Sequence, residues 1–263
     1  MSPELIVALI SAALSVAAGL MSTSANRRAR QFEFELERRR KQEDATETAE
    51  RILNQYRDPL IDAAHTLQGR LFNIAAQGFL GKFYLQESNE DDKRYARDYT
   101  VYAIAEYLCW VEIVRREMRF HDLGDTKRHR ELMASLTSIQ YAFQRDDIPA
   151  VFQVFRGRQR AVAEVMMQPT NAVEGPRSEC LGYAAFSRKL AGDADFQPWF
   201  AQLQADVETV AHGTTAQNIR LIYLQRELID LIDFLDPTAV RIPPQFRHRL
   251  DEPTPALVAT AAG

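Results

Sequence analysis

Leu5 to Ser22, LIVALISAALSVAAGLMS, is eighteen residues without a charge, and Arg27, Arg28 and Arg30 follow it directly. At a rise of about 1.5 Å per residue, a helix of this length spans roughly 27 Å. A hydrocarbon core is about 30 Å thick, so the run is short but sufficient to cross it. Inside lipid the backbone must bond to itself, which makes a helix the expected form. Residues 1–23 are therefore read as a single transmembrane anchor. A cleaved secretory leader is the rival reading. Such a leader carries positive charge ahead of its apolar run, whereas here only Glu4 precedes the run, and Ala17-Ala18-Gly19 is a weak cleavage site.

The arginines set the expected orientation. Lys and Arg stay on the cytoplasmic side of a membrane. The reading is thus a cytoplasmic-membrane protein with its N-terminus outside and the remaining chain in the cytoplasm. Ala8, Ala12, Ser15 and Gly19 recur at i, i+4, i+7 and i+11 and form one small-residue face. A face of this kind lets two spans approach closely, although an Ala-rich span shows small residues on any face. It motivates the expectation of a homo-oligomer.

Residues 24–57 read as a charged helical stalk. Glu35 precedes Arg39, Glu37 precedes Lys41 and Glu47 precedes Arg51 by four residues, the favourable order for helical ion pairs. Apolar residues are too sparse from 37 to 48 for a coiled coil. The run Arg38-Arg39-Arg40-Lys41 is a solvated face or a site for anionic headgroups.

Residues 58–236 pattern as a helical bundle. Asp58-Pro59 suits an N-cap followed by a first helical residue, opening a helix to about Gln86. The segment from Tyr99 to Val114, YTVYAIAEYLCWVEIV, carries only Glu106 and Glu112 as charges. A helix apolar nearly all round is buried on most sides, and two carboxylates at its middle argue against a second span. Further helices are expected to about Arg145, near Gly157 to Met167, over 178–191, over 195–212 and over 214–236, with a loop over 169–176. In the last helix Leu221, Leu224, Leu228, Leu231 and Leu235 alternate by three and four. Residues 237–263 hold Pro237, Pro243, Pro244, Pro253 and Pro255, and read as an extended or disordered tail. No window gives a convincing set of strands. The fold class is all-α.

The chemistry is narrowed mostly by what is missing. No phosphate-binding loop, dinucleotide fingerprint, nucleophile elbow, H-E-x-x-H or paired C-x-x-C occurs, so the common catalytic motifs are absent. The net charge of −4 gives no electrostatic case for nucleic acid. Only five of the 32 basic residues are Lys, a bias that fits a GC-rich bacterial genome. Cys109 and Cys180 are read as reduced thiols. His121, Asp125 and His129 have ligand spacing, but Gly124 interrupts the helix that would hold them. No metal and no cofactor is expected.

Two local features remain. Glu106 and Glu112 are six residues apart, about 120° apart around a helix, and cannot share a site unaided. Each needs a partner if buried, with Arg70, Arg115, Arg116 and Arg156 as available donors. Arg156, Arg158 and Arg160 form the second feature. Beside a helix N-terminus they could hold a phosphate or other anion, yet alternate residues spread around a helix and resist convergence. Three readings follow. The first is an anchored bundle presented to a protein partner as a scaffold. The second is a membrane signalling protein responding to an anionic, phosphorylated ligand near Arg156–Arg160. The third is a membrane-associated enzyme using Glu106 or Glu112, a reading the missing motifs disfavour.

Overall fold

The computed structural model describes residues 3–86, 89–120, 127–172, 175–213 and 218–253, without side chains at 3–29, 49, 52, 53, 119, 120, 171, 172 and 175–177. The chain divides into two units, Met1–Thr48 and Ala49–Gly263. Helix α1 (Pro3–Gln77) supplies residues to both.

In the first unit the backbone is helical from Pro3 onward, through Leu5–Ser22. The small-residue face of Ala8, Ala12, Ser15 and Gly19 lies outside the described side chains. Among the described residues no helix is long and apolar enough to cross a membrane, so the anchor draws no support from the structure. Phe32 and Phe34 are 63% and 68% exposed. Glu35 and Arg39 close no ion pair, nor do Glu37 and Lys41, among the described residues. Such exposed pairs are worth only about 0.3–0.5 kcal/mol, too little to hold two long side chains in one geometry.

In the second unit the core begins earlier than the proline pattern implies. Pro59 lies inside α1 and does not open a helix. A proline within a helix removes one hydrogen bond and costs about 3 kcal/mol. Burial of Tyr56, Leu60 and Ile61 around it offsets that cost. α1 stops at Gly78, whose φ of +64° only glycine adopts without strain. A π-helical turn, Gly81–Leu85, follows where the helix was expected to continue.

Helix α2 (Glu90–Phe120) is central, buried on nearly every side from Thr100 to Val114. It packs against α4 (Arg156–Met166), α5 (Tyr183–Gly192) and α6 (Ala201–His212), while α3 (Lys127–Gln144) packs against α7 (Ile219–Leu235). Phe186, Phe196 and Phe200 fill the α5–α6 corner with ring centroids 4.6–5.7 Å apart. The Asp193 carboxylate accepts the backbone N–H groups of Asp195 and Phe196. It thereby starts a 3-10 turn, Gln197–Trp199, ahead of α6. The caps expected at Gly124, Asp125, Thr214 and Thr215 lie outside the described residues.

The segment expected as a loop over 169–176 is part of a β-hairpin instead. Strands β1 (Met167–Ala172) and β2 (Gly175–Cys180) pair antiparallel, with Pro169 opposite Ser178 and Asn171 opposite Pro176. Prolines are tolerated because a two-stranded ribbon leaves each strand one unpaired edge. The N–H of Leu181 donates to the Met166 carbonyl at 2.9 Å and closes the base. The helix expected from 178 starts only at Tyr183.

Two polar clusters hold the second unit together. Arg220 is 1% exposed, and its guanidinium donates to the carbonyls of Ala142, Phe143, Arg145, Pro149 and Val151 at 2.7–3.1 Å. Burial pushes its pKa down to about 10, with Arg145 adding to the shift, and the group stays cationic near neutrality. Asp236 accepts the backbone N–H groups of Val240, Arg241 and Ile242, each at 3.0 Å, and a bond from Arg247 at 2.5 Å. Residues 237–253 hold no longer element than a 3-10 turn at Pro244–Phe246, yet they are docked on the bundle. Ile242 is buried, Arg249 bonds Asp230 and Asp233, and the Gln225 amide donates to the His248 carbonyl.

Candidate functional site

Residues from α2, α3 and α4 line a cavity of about 290 Å³. Helix α4 begins after Phe155, whose extended backbone offers no side-chain cap, and its first turn carries no acid. The N-terminal end of a helix holds partial positive charge. Arg156 and Arg160, one turn apart, both face this cavity from α4. Arg158, between them, does not. Its guanidinium reaches the Pro198 and Trp199 carbonyls at 3.4 and 3.5 Å on another side. The helical angle that opposed convergence of all three arginines thus separates Arg158 from the other two.

From α2, Arg115 and Glu112 complete the charged wall. Arg115 also reaches the Leu136 carbonyl at 3.5 Å. Glu112 is 4% exposed, and its Oε1 accepts from Arg116 Nε at 3.1 Å and lies 3.6 Å from Arg160 Nη2. Arg116 is tied in turn to Glu164 at 2.5 Å. From α3 come His129, Thr137 and Gln140, while Met118 and Met133 form an apolar flank. Arg156 makes no hydrogen bond or ion pair among the described residues. Three guanidinium groups therefore share one small cleft with a single carboxylate. Such an arrangement can bind an anion through charge-assisted, forked hydrogen bonds.

Glu106 sits in different surroundings. The Tyr102 hydroxyl donates to it at 2.9 Å. Burial pushes its carboxyl pKa up; the Tyr102 bond opposes this, and Asp62 adds to the rise. Close by, Cys109 and burial push the Cys180 thiol pKa up, and both are free cysteines. No described cavity opens onto Glu106. Arg70, a considered partner for the carboxylates, instead lies over the rings of Phe79, Tyr95 and Tyr99 at 4.3–5.2 Å.

A larger cavity of about 370 Å³ lies between α1 and the C-terminal segment. Its wall includes Phe72, Asn73, Gln245 and Phe246, and no Lys, Arg, Asp or Glu. Burial holds His65 there below its usual pKa. Without a fixed charge it offers less to orient a ligand, so its greater volume does not make it the stronger candidate. Of His121, Asp125 and His129, whose spacing alone would suit a metal, the first two lie outside the described residues. Among the described residues no cluster of metal-ligating side chains occurs.

From the sequence alone Arg115 is no more than an available partner for the carboxylates. Its place beside Arg156 and Arg160 depends on how α2 packs against α4, which neither helix's own sequence encodes. No family model, no curated protein and no solved structure matches this chain.

Proposed function

We propose that this chain is a membrane-anchored binding protein whose helical bundle takes up a small anionic ligand between α2, α3 and α4. The observation that carries this reading is the convergence of Arg115, Arg156 and Arg160 on one cleft, with Arg156 unpartnered among the described residues. Mutual repulsion of three cations is relieved when an anion enters, and each charge-assisted bond contributes about 1.5–3 kcal/mol. Arg156→Ala should therefore weaken binding of inorganic phosphate about tenfold or more, since about 1.4 kcal/mol is tenfold. Titration calorimetry of the full chain in detergent measures this. Unchanged affinity would remove the cleft as the site.

The anchor belongs to the same proposal and rests on the uncharged run Leu5–Ser22 and the arginines behind it. The N-terminus would lie outside and the bundle in the cytoplasm. Full-length protein should pellet with membranes, and a chain lacking residues 1–23 should stay in the supernatant. Recovery of the full chain without detergent would defeat the anchor while leaving the anion site intact.

Presentation of the bundle to a protein partner is the second reading, with self-association as its simplest case. Phe32 and Phe34 favour it, being exposed on a unit with no apolar core of its own among the described residues. An isolated helix is marginal in water, and a second copy would cover these rings.

A further inference from the structure

We infer that Glu112 makes the cleft selective for a phosphate that brings its own hydrogen-bond donor, over anions that carry none. The class comprises inorganic phosphate and small hydroxylated phosphate esters. This inference rests on the anion-binding reading above. A ligand drawn in by Arg115, Arg156 and Arg160 also meets the Glu112 carboxylate in the same wall. Two anionic groups brought together disfavour one another unless a proton lies between them.

Glu112 cannot readily swing aside. Its Oε1 is held by Arg116 at 3.1 Å, and Arg116 is itself held by Glu164 at 2.5 Å. A carboxylate accepts through two oxygens with about four lone-pair sites, so a donor on a ligand can share it with the arginines that hold it. Inorganic phosphate keeps at least one proton on its oxygens throughout the neutral range, and sulfate keeps none. A hydroxyl on a phosphate ester supplies the same donor. The cavity of about 290 Å³ corresponds to about ten waters of liquid volume, which suits a phosphate with a short carbon chain. Thr137 and Gln140 offer further neutral partners, and Met118 and Met133 an apolar flank.

The test is calorimetric titration of the full chain in detergent with sodium phosphate, glycerol 3-phosphate and sodium sulfate at one ionic strength. Wild type should bind both phosphates about tenfold tighter than sulfate, the equivalent of one charge-assisted bond. Glu112→Gln should still bind phosphate but close most of that gap. Equal binding of phosphate and sulfate by wild type overturns the selectivity and leaves the anion site standing. Binding of neither overturns the anion site itself. If Glu112→Gln keeps the full gap, or loses all anion binding, Glu112 is not the selecting group. Vesicles of phosphatidylglycerol, compared with phosphatidylcholine, identify the source: displacement of phosphate by the former alone marks a lipid headgroup, and no displacement marks a free ester. Either source satisfies the inferred chemistry.

Discussion

Arg220→Met is expected to destabilise the folded unit by about 4 kcal/mol. Methionine replaces the aliphatic stem but supplies none of the donors that reach five carbonyls. A buried acceptor left unpaired costs about 1–3 kcal/mol. The full penalty does not fall on all five, because the Phe143 carbonyl also accepts Val154 N–H and the Arg145 carbonyl also accepts Gln153. For a unit of this size each kcal/mol lowers Tm by about 2–4 °C, so calorimetry should show a fall of roughly 8–16 °C. Arg220→Lys keeps the charge but loses the fork, and should fall between the two. A shift under about 2 °C for Arg220→Met, less than 1 kcal/mol on that scale, would show that these bonds contribute little.

Asp236→Ala is expected to release the C-terminal segment, at a cost of about 3 kcal/mol for a buried carboxylate with four hydrogen-bond partners. Hydrogen exchange at Val240, Arg241 and Ile242 should accelerate sharply, while exchange along α2 stays slow. Protection unchanged at those three amides would rule out Asp236 as the anchor. Acid should act on the same bonds. Burial alone would raise the Asp236 pKa, but the N–H groups of Ile242, Val240 and Arg241, with Arg247, outweigh it and hold it below the usual carboxylate value. A carboxylate depressed in this way stabilises the fold above its unfolded pKa of about 3.9, and the contribution is lost as pH falls through the folded value. The segment should thus stay docked at neutral and mildly acidic pH and loosen only in strong acid.

The helices that pack most deeply were the easiest to read. The run YTVYAIAEYLCWVEIV is buried along α2, and the leucines of α7 are core as their spacing implies. Polar residues within the core were harder. Extending the stripe of Leu224, Leu228, Leu231 and Leu235 back one turn lands on Arg220, and that position was the available signal. An arginine there reads as solvated because its five acceptors lie about 70 residues earlier in the chain. The docking of the segment over 237–253 is hidden in the sequence for a related reason. Its prolines are local and visible, whereas the match of Arg247 and Arg249 to Asp230, Asp233 and Asp236 appears only once the chain has turned back. The hairpin leaves little trace in the sequence because its strands are short, contain prolines and lack alternation. At the cleft, the one-turn spacing of Arg156 and Arg160 was legible. The contribution of Arg115 was not, since it depends on the packing of one helix against another.

The buried glutamines of α1 and α7 have a consequence for how sharply the fold is defined. Gln225, fully buried, donates to Gln68 and to the His248 carbonyl and accepts from Leu250 N–H, while Gln68 donates to the Phe246 carbonyl. Leucine seams are forgiving: one helix can slide along another by a turn, about 5.4 Å, and still bury hydrocarbon. Amides are not, because such a slide strands every donor and acceptor in the ladder. These two side chains therefore select a single alignment from several that the leucines alone would accept, and their replacement by leucine should yield a protein that melts broadly rather than one that fails to fold.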